Sequence, residues 1–389
     1  MRALVVVGFL IASRLLASAQ DYSAFTNTVH SLKDSVQFEV FKKKNTIPFV
    51  VEDSVAFIFY GKATSVAWMG DFNGWGYDKT FISTGVNVRN TSLWILKAKF
   101  PKNARLDYKI VLNSDTYILD PANPHQQWSG VGGGSPNSEL RMPEWKESVE
   151  QHVKQVEHGT VKSDILINSK ILNYQVTYSI YLPTGFEKAG TLPVIYVTDG
   201  YEYLHPQLGN MTTVLDNLIA EKKIKPIAAV FVDHREPINR SNNRRMNELA
   251  MNSQYLDFFT NELMPEIERN FPVSKLASER GIMGTSMGGL AATYFAFTKP
   301  GVFGLVGIQS PAFWTKPQIY QLCTNQVAPS VKISMTSGVI NDTSKESRKM
   351  KEVLEANSCI YHYREVNEGH SWGNWRNLID DVLIDLFGI

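Results

Sequence analysis

Hydrophobic and polar positions follow different patterns in the two halves of the chain. Between about residues 35 and 125, short apolar runs at 54–60, 65–69, 92–97 and 106–112 are separated by turns rich in glycine, asparagine and aspartate. Short runs of β-branched and aromatic residues bounded by such turns are typical of strands. This pattern predicts a small β-sandwich of immunoglobulin-like type over residues 35–125.

From about residue 151 to residue 389, apolar strand-like runs alternate with helical segments. Runs at 192–198, 227–232 and 303–310 predict buried strands, whereas 210–219 and 255–271 predict helices. An alternation of this kind is typical of a mainly parallel sheet covered by helices. The predicted fold class of this domain is therefore α/β, with the smaller sandwich preceding it.

A stretch poor in regular patterns separates these two parts. Residues 126–150 include the run Gly-Val-Gly-Gly-Gly at 130–134 and the prolines Pro136 and Pro143. Glycine and proline interrupt helices and strands, so this stretch is predicted to be a linker.

The amino terminus has the pattern of a secretory signal peptide. Arg2 precedes an apolar run at 3–12, and Ala-Ser-Ala at 17–19 is a cleavage signal. Residues 1–19 are predicted to be removed on export, which predicts a secreted or periplasmic protein. Arg14 interrupts the apolar run and argues against a permanent transmembrane helix, and no later run is long enough to span a bilayer.

Composition and charge narrow the classes of partner. The 389 residues are 43% hydrophobic and 20% charged with a formal net charge of +1, which gives no reason to expect nucleic acid or an anionic membrane as partner. The cysteines, Cys323 and Cys359, are compatible with one disulfide or with two buried thiols. Cysteine and histidine lack zinc-binding spacing, so no metal is expected.

The strongest chemical signal is the G-x-S-x-G pattern at residues 284–288, centred on Ser286. An apolar strand-like segment precedes it and a helix-like segment at 290–298 follows it. This is the context of a nucleophile elbow, in which small flanking residues allow a sharp turn to present the serine. The alternative is a glycine-rich turn in which Ser286 only caps the helix.

Partners for this serine lie downstream at the ends of predicted strands. Asp342 follows the strand at 331–336, with Asn341 and Glu346 as weaker choices, and His370 follows the strand at 359–366. The chain order serine, acid, histidine is that of α/β-hydrolases. These three residues are the predicted catalytic triad, a mechanism that requires no cofactor.

Two backbone N–H groups are predicted to form an oxyanion hole. One belongs to Met287, next after the nucleophile, and the other to Gly200 or Tyr201 in the loop after the strand at 192–198. Because both are main-chain donors, the identity of the side chains tests this prediction poorly.

Aromatic residues near these positions are candidates for substrate binding. Phe313 and Trp314 follow the strand at 303–310 and are expected at the rim of the site, and Trp372 lies two residues after His370. Ordinary packing is the alternative. For His234, the sequence leaves two roles open, a second base and an ordinary loop histidine. For the stretch 244–248, it leaves open the steering of anionic substrates and structural ion pairs.

The first part of the chain also resembles a known module. The run Gly-Asp-Phe-Asn-Gly-Trp at 70–75, followed by Leu93-Trp94, Tyr108-Lys109 and Asp120-Pro121, is similar to the early-set module that precedes the catalytic domains of glycogen-branching enzymes and enterochelin esterases. Some relatives bind α-glucans through exposed tryptophans. For Trp75, sugar stacking and core packing remain open.

Residues 160–389 resemble the superfamily of enterochelin, feruloyl and acetylxylan esterases, S-formylglutathione hydrolases and mycolyltransferases. The matching residues are Asp199-Gly200, the run 284–289, Ser310-Pro311, Asp342-Thr343 and the run 368–376. The resemblance implies an α/β-hydrolase fold and a serine carboxylester hydrolase that forms an acyl-enzyme.

The substrate implied by this resemblance is a small-molecule or polysaccharide ester. Export combined with an early-set module implies feruloyl or acetyl esters of plant cell-wall polysaccharide, because the siderophore esterases of this group are cytoplasmic. The alternatives are a siderophore (enterochelin-type) esterase, an acyltransferase and a catalytically weak glycan-binding protein. The sequence does not predict the oligomeric state.

Overall fold

The computed structural model describes residues 22–130, 135–188, 190–325 and 331–389, and these residues form two compact units. Within the described ranges, the first unit contains residues 22–128, 135–146 and 367–369, and the second contains the remainder. The predicted signal peptide, residues 1–19, lies outside the described residues.

The first unit is built mainly from short antiparallel strands. Numbered in chain order, these are β1 Phe49–Val51, β2 Ser54–Tyr60, β3 Val66–Gly70, β4 Val86–Asn87, β5 Leu93–Lys99, β6 Arg105–Leu112, β7 Thr116–Ile118, β8 Gln126–Trp128 and β9 Pro136–Arg141. One sheet has the order β1-β2-β5-β4 and the other β3-β6-β9-β8, with β7 paired to β6.

Aromatic side chains fill the space between these two sheets. The Phe57 ring on β2 lies 5.9 Å from the Trp68 ring on β3 and 5.1 Å from the Tyr108 ring on β6, measured between centroids. All three side chains are buried. Packing of two antiparallel sheets over a shared apolar core is the arrangement of a β-sandwich. Identification of this unit as an early-set module remains a prediction.

Two helices, which the sequence pattern did not predict, cover the outer side of the first sheet. They span residues 22–31 and Ser35–Lys44. Phe25, Phe38 and Phe41 from these helices form one buried cluster with Ile58 and Ile95 of the sheet. The Asp34 carboxylate caps the second helix by accepting a hydrogen bond from the Gln37 N–H.

The prediction that residues 126–150 form a linker is wrong over most of its length. Gln126–Trp128 and Pro136–Arg141 are strands that pair with each other, and the second of them also pairs with β6. Residues 135–146 belong to the first unit. Proline is tolerated here because Pro136 is the first residue of its strand, where the missing N–H costs no ladder hydrogen bond.

The first unit contains a cluster of charged side chains that are buried except for Arg141, whose side chain is 32% exposed. Two arginines are surrounded by four carboxyl groups: Arg105, Arg141, Asp71, Asp107, Glu139 and Glu368. The Arg105 guanidinium donates to Glu139 at 2.6 Å and to Asp107 at 2.5 Å. If all four carboxyl groups were ionised, two buried negative charges would lack compensation, so some of them stay protonated.

Glu368 is one of these protonated acids. Burial raises its pKa to about 8, although the nearby Arg105 charge acts in the opposite direction. Its Oε1 accepts a hydrogen bond of 3.0 Å from the Trp145 indole N–H. The Arg105 N–H also donates to the Asn367 carbonyl, so the segment directly before His370 in the chain is held within the first unit.

This raised pKa makes the stability of the first unit depend on pH. An unfolded glutamate has a pKa near 4.3, so between about pH 4.5 and pH 8 the folded chain binds more protons than the unfolded chain. The free energy of unfolding should therefore fall as pH rises through this window. We expect Glu368→Gln, which keeps a neutral group in place, to reduce that fall.

Hydrogen exchange of β6 at pH 5 and pH 8, each compared with wild type at the same pH, measures this effect. The matched control is Glu39→Gln, since Glu39 lies on the surface of the Ser35–Lys44 helix. If Glu368→Gln loses as much protection between pH 5 and pH 8 as wild type does, Glu368 is not protonated in the folded chain.

The second unit is organised around one mixed sheet. Its strands are β10 Thr160–Ser169, β11 Tyr174–Leu182, β12 Val194–Val197, β13 Ala228–Asp233, β14 Arg280–Thr285, β15 Leu305–Gln309, β16 Lys332–Gly338 and β17 Ile360–Val366. Their order is β10-β11-β13-β12-β14-β15-β16-β17. The pairs β10–β11 and β11–β13 are antiparallel and the others are parallel, as the sequence pattern predicted for most of this domain.

Helices connect these strands and cover the sheet. They are Gly200–Leu204, Met211–Ala220, Arg245–Leu249, Ser253–Phe258, Met264–Asn270, Met287–Thr298, Gln318–Asn325, Ser344–Ala356, Trp372–Arg376 and Ile379–Phe387, with a π-helical turn at Phe259–Leu263. Short 3-10 turns occur in this unit at Val149–Gln151, Phe186–Lys188, Ala277–Glu279 and Phe313–Thr315, and in the first unit at Asp71–Gly76. In the part of the chain described, no helix is both long and apolar enough to cross a membrane.

The central strands read as continuous apolar runs because both faces of the sheet are covered. Every residue of β12, β14 and β15 is buried, and the Met287–Thr298 helix packs against β14 and β15 with ten buried positions. Cys323 and Cys359 belong to this core and are free thiols, which decides between the two alternatives left open by the sequence.

Candidate active site

Ser286 lies on a sharp turn between β14 and the Met287–Thr298 helix. Its backbone has φ 57° and ψ −114°, a conformation that side-chain-bearing residues rarely adopt. The turn is held on both sides, since the Ser286 N–H donates to the Gln309 carbonyl and the Ala312 N–H donates to the Ser286 carbonyl, each at 2.9 Å. The strand, turn and helix predicted around the G-x-S-x-G pattern are all present.

The glycines of this pattern are required by close approaches in space. A Cβ atom on Gly284 would lie 2.1 Å from Thr198 Oγ1 and 2.6 Å from the Gly288 carbonyl carbon. One on Gly288 would lie 2.3 Å from the same Thr198 oxygen. The elbow therefore packs against the end of β12 with no room for larger residues.

The three predicted side chains form one hydrogen-bonded chain. His370 Nε2 is 2.9 Å from Ser286 Oγ, and His370 Nδ1 is 2.6 Å from Asp342 Oδ1. The Asp342 side chain is fully buried and Ser286 is 9% exposed, whereas the His370 side chain is 31% exposed. This geometry allows the imidazole to accept the serine proton while the buried carboxylate holds its other nitrogen as a donor.

The second oxygen of the Asp342 carboxylate is also held in place. Oδ2 accepts hydrogen bonds of 2.6 Å from the Ser310 hydroxyl and 2.6 Å from the Gly338 N–H. These two donors come from the ends of neighbouring strands, β15 and β16. Sequence reasoning identified Ser310 only as part of a family pattern and missed this role, because the partners are 32 positions apart.

The backbone groups predicted for an oxyanion hole lie at helix starts. Met287 is the first residue of its helix, and Gly200 and Tyr201 are the first two of theirs. Such N–H groups have no carbonyl four residues earlier within the helix to accept their hydrogen bond. Gly200 is required sterically, because a Cβ there would lie 2.4 Å from the Phe231 carbonyl carbon.

The three aromatic candidates for substrate binding have different environments. Trp314 is 50% exposed, and its ring lies 5.9 Å from the His370 ring. The expectation that Phe313 stands at the rim is wrong: it is fully buried and packs edge-on against Tyr320 in the core. Trp372 is 2% exposed and packs against Tyr203 and Trp375, so it offers almost no surface to a ligand.

A cavity of about 320 Å³ adjoins the loop that carries Tyr201. Its polar wall includes three arginines, Arg235, Arg240 and Arg245. The Arg235 guanidinium lies 3.5 Å above the centre of the Tyr201 ring. Glu202 also lines the cavity, and burial together with the negative charge of Asp199 raises the pKa of this carboxyl to about 7. Asp199 and Asp233 line the same cavity, so its three arginines face three carboxyl groups, of which Glu202 is only partly ionised at neutral pH.

His234 and the stretch 244–248 have structural partners, which sequence reasoning left open. His234 is buried and its Nδ1 is 2.5 Å from Glu248 Oε2. It makes no hydrogen bond to Ser286 among those found in the described chain, where His370 occupies that place. Arg245 is only 14% exposed and pairs with Asp199.

Comparison with known proteins decides the family. The sequence model of the family described as "Putative esterase" matches residues 169–386, more than half of the chain. The chain belongs to this esterase family. Esterases of this family and its relatives are carboxylic ester hydrolases, so the chain is an enzyme of that class.

Two curated relatives of this esterase illustrate its neighbours in sequence. An iron(III) enterobactin esterase of Escherichia coli O6:H1 is 26% identical over 289 residues, covering 69% of this chain and 67% of the relative. An endo-1,4-beta-xylanase/feruloyl esterase of Xylanibacter ruminicola is 25% identical over 262 residues, covering 64% of this chain and 34% of the relative.

Solved structures show the same fold. The ferric enterobactin esterase of Salmonella typhimurium superposes with a TM-score of 0.73 at 19% identity, covering 90% of this esterase and 98% of that chain. The enterobactin esterase of Shigella flexneri, solved in the presence of enterobactin, gives a TM-score of 0.70 at 22% identity and covers 86% and 92%.

Proposed function

We propose that this protein is an exported serine carboxylester hydrolase that acts on feruloyl or acetyl esters of plant cell-wall polysaccharide. The observation that carries the proposal is the hydrogen-bonded chain from Ser286 through His370 to the buried Asp342. Export rests on the composition of residues 1–19.

In the proposed first half-reaction, Ser286 Oγ attacks the ester carbonyl carbon while His370 Nε2 takes the hydroxyl proton. The N–H of Met287 and that of Gly200 or Tyr201 donate to the oxygen as it becomes negatively charged. Asp342 stabilises the imidazolium by accepting a hydrogen bond from Nδ1. His370 then returns the proton to the leaving alcohol, and the acyl group stays on Ser286.

In the second half-reaction, water takes the position of the leaving alcohol. His370 accepts a proton from this water as its oxygen attacks the acyl carbon, and the same two N–H groups stabilise the second oxyanion. Collapse of this intermediate returns the proton to Ser286 Oγ and releases the carboxylic acid. The transfers between Ser286 and His370 run between Oγ and Nε2, which lie 2.9 Å apart.

The surroundings of His370 favour an aromatic acyl group over acetyl. The exposed Trp314 ring stands beside the imidazole and offers a face on which a feruloyl ring can stack. The Trp375 ring also lies 4.9 Å from the imidazole and nearly perpendicular to it, which restricts the rotation of the imidazole. An acetyl group would leave the Trp314 surface unused.

A siderophore esterase is the second candidate, and the charge of the cavity favours it. Three arginines in the wall beside Tyr201 suit an anionic ligand such as a ferric catecholate. The cavity arginines already pair with Asp199 and Asp233, however, which reduces the net positive charge available to a substrate. This pairing keeps the feruloyl ester as the first choice.

A substrate panel distinguishes these candidates. Purified protein from residue 20 onward is assayed with p-nitrophenyl acetate, ethyl ferulate, acetylated xylan and ferric enterobactin. We expect turnover of the first two, with ethyl ferulate giving the higher kcat/KM. Turnover of ferric enterobactin alone would replace the first candidate by the second, and no turnover of any ester would contradict both.

Trp314 provides a direct test of the aromatic acyl site. We expect Trp314→Ala to raise KM for ethyl ferulate by about 10-fold, since ring stacking and the buried aromatic surface are both lost. KM for p-nitrophenyl acetate should change by less than about twofold, because acetyl does not reach the ring. Trp314→Phe is the matched control and should keep most of the affinity. Equal losses on both substrates would contradict this site.

A further inference from the structure

Asp199 has a backbone conformation that needs support. It directly follows the β12 end and precedes Gly200, and its φ of 56° and ψ of 36° lie in the left-handed region. An aspartate tolerates this region better than most residues but does not prefer it. Since Asp199 begins the loop that carries the proposed oxyanion donors, its conformation sets their positions.

The main chain of Asp199 is held by a buried histidine. The Asp199 N–H lies 3.1 Å from His234 Nε2, which must therefore carry a lone pair and accept this hydrogen bond. The imidazole proton is then on Nδ1 and faces Glu248 Oε2 at 2.5 Å. The other oxygen of Glu248 accepts a hydrogen bond of 2.7 Å from the Tyr174 hydroxyl.

The side chain of Asp199 is held by Arg245. The guanidinium donates from Nε to Asp199 Oδ1 at 2.5 Å and from Nη2 to Oδ2 at 2.9 Å, a two-bond fork that fixes the carboxylate plane. The same Nη2 also donates to the Thr285 carbonyl at 3.1 Å. Thr285 is the residue before Ser286, so one guanidinium joins the oxyanion loop to the nucleophile elbow.

These contacts form a connected buried group, which we call the brace: Asp199, Arg245, His234 and Glu248. Asp199, His234 and Glu248 are each 5% exposed or less, and the Arg245 side chain is 14% exposed. Asp199 also lies against the elbow helix, since its Oδ2 would be 3.0 Å from a Cβ atom placed on Gly288. The brace therefore contacts both segments that supply the proposed oxyanion donors: the loop at Gly200–Tyr201, through Asp199, and the nucleophile elbow before Met287, through Arg245.

We propose that the brace positions the oxyanion hole by fixing the loop at Gly200–Tyr201 relative to Met287. This inference rests on the proposed function, because it assigns a role in stabilising the tetrahedral intermediate. Oxyanion donors act within a narrow range of about 2.7–3.1 Å, so a small shift of the loop weakens them. The residues of the brace are positioning residues and leave the chemistry to Ser286 and His370.

The brace is tested with four variants and p-nitrophenyl acetate, a small neutral ester that has no charged group for Arg245 to bind. We expect Arg245→Met to lower kcat by about 100-fold with KM within about threefold, the result of a misplaced oxyanion donor. Arg245→Lys retains the charge but lacks the fork, and should recover little.

The histidine is tested by one disruptive and one conservative change. His234→Phe should lower kcat to a similar extent, by about 100-fold, because the Asp199 N–H loses its acceptor. His234→Gln should keep kcat within about 10-fold of wild type, since its amide can accept from Asp199 and donate to Glu248. The affinity of a phenylboronic acid, whose adduct with Ser286 places an oxygen in the oxyanion hole, should fall in parallel with kcat.

The matched control is Arg280→Met at the opposite end of β14. Arg280 is also buried and pairs with Glu268 at 2.8 Å, so its loss tests general destabilisation of the same strand. We expect a lower midpoint of thermal unfolding with kcat within about twofold of wild type. If Arg245→Met does not fold, the two His234 variants decide the question.

Three results would overturn the brace: unchanged kcat in Arg245→Met, a rise in KM alone, or an equal loss of kcat in Arg280→Met. Ser286→Ala, measured alongside, separates the two proposals. If Ser286→Ala is inactive and the brace variants are fully active, only the positioning role of the brace is contradicted. If Ser286→Ala stays active, both the proposed function and the role of the brace are contradicted.

Discussion

Replacing Ser286 with alanine is expected to lower kcat for p-nitrophenyl acetate by about 10,000-fold or more, because no other group can form the acyl-enzyme. The fold should not change, since alanine fits the space of serine at the elbow. KM should stay close to the wild-type value, as the oxyanion donors and the rim beside Trp314 are untouched. Initial rates at saturating ester, corrected for uncatalysed hydrolysis, measure the effect.

The matched control for this prediction is Ser278→Ala. Ser278 is an exposed serine in the Ala277–Glu279 turn and contacts none of the three triad residues in the geometry described. It should retain wild-type kcat. Turnover by Ser286→Ala within about 10-fold of wild type would show that the hydrolysis does not use a serine nucleophile at this position.

Replacing Asp342 with asparagine is expected to lower kcat by about 10,000-fold with little change in KM. The Gly338 N–H can only donate, so it selects the amide oxygen of an asparagine at this place. The amide NH₂ is then directed at His370 Nδ1, which has to become an acceptor. The imidazole proton moves to Nε2, and His370 can no longer accept the proton of Ser286.

Ser310→Ala separates this tautomer effect from a general loss of order around the carboxylate. It removes one of the hydrogen bonds to Asp342 Oδ2 but leaves the charge and the Nδ1 contact. We expect a loss of kcat of about 10-fold. Equal losses in Ser310→Ala and Asp342→Asn would contradict the role of the tautomer.

The strands of the protein were largely predictable from local patterns. The apolar run at 54–60 is a strand with the predicted bounds, and the runs at 227–232 and 331–336 are strands to within two residues. These segments bury one or both faces, so their composition reflects their environment directly. The helix at 255–271 was also expected, although the π-helical turn at Phe259–Leu263 has no local signal in the sequence.

Elements that depend on distant partners were not predictable in the same way. The stretch around Pro136 reads as a linker because glycine and proline dominate it, yet Pro136–Arg141 is a strand since β6 and β8 supply its hydrogen bonds. The tertiary structure determines such pairing partners, and here it overrides the low strand propensity of the segment itself.

The candidate site likewise combines residues that local sequence patterns predict with residues whose roles depend on distant partners. Ser286, Asp342 and His370 were predictable because each follows a strand end and their order in the chain is constrained. The aromatic residues were not, since Phe313 and Trp314 are neighbours in sequence and only one of them reaches the surface. The link between Asp199 and Arg245 joins positions 46 apart. The sequence alone left the stretch 244–248 open between steering of anionic substrates and structural ion pairs.

The central claim, that hydrolysis passes through an acyl group on Ser286, can be tested directly by rapid-quench mass spectrometry. Protein mixed with p-nitrophenyl acetate or ethyl ferulate and quenched within one turnover should gain the mass of one acyl group. Peptide mapping should place that group on the peptide that contains Ser286, and Ser286→Ala should gain none. An acyl group on another residue, or turnover with no acylated protein at any quench time, would contradict the account.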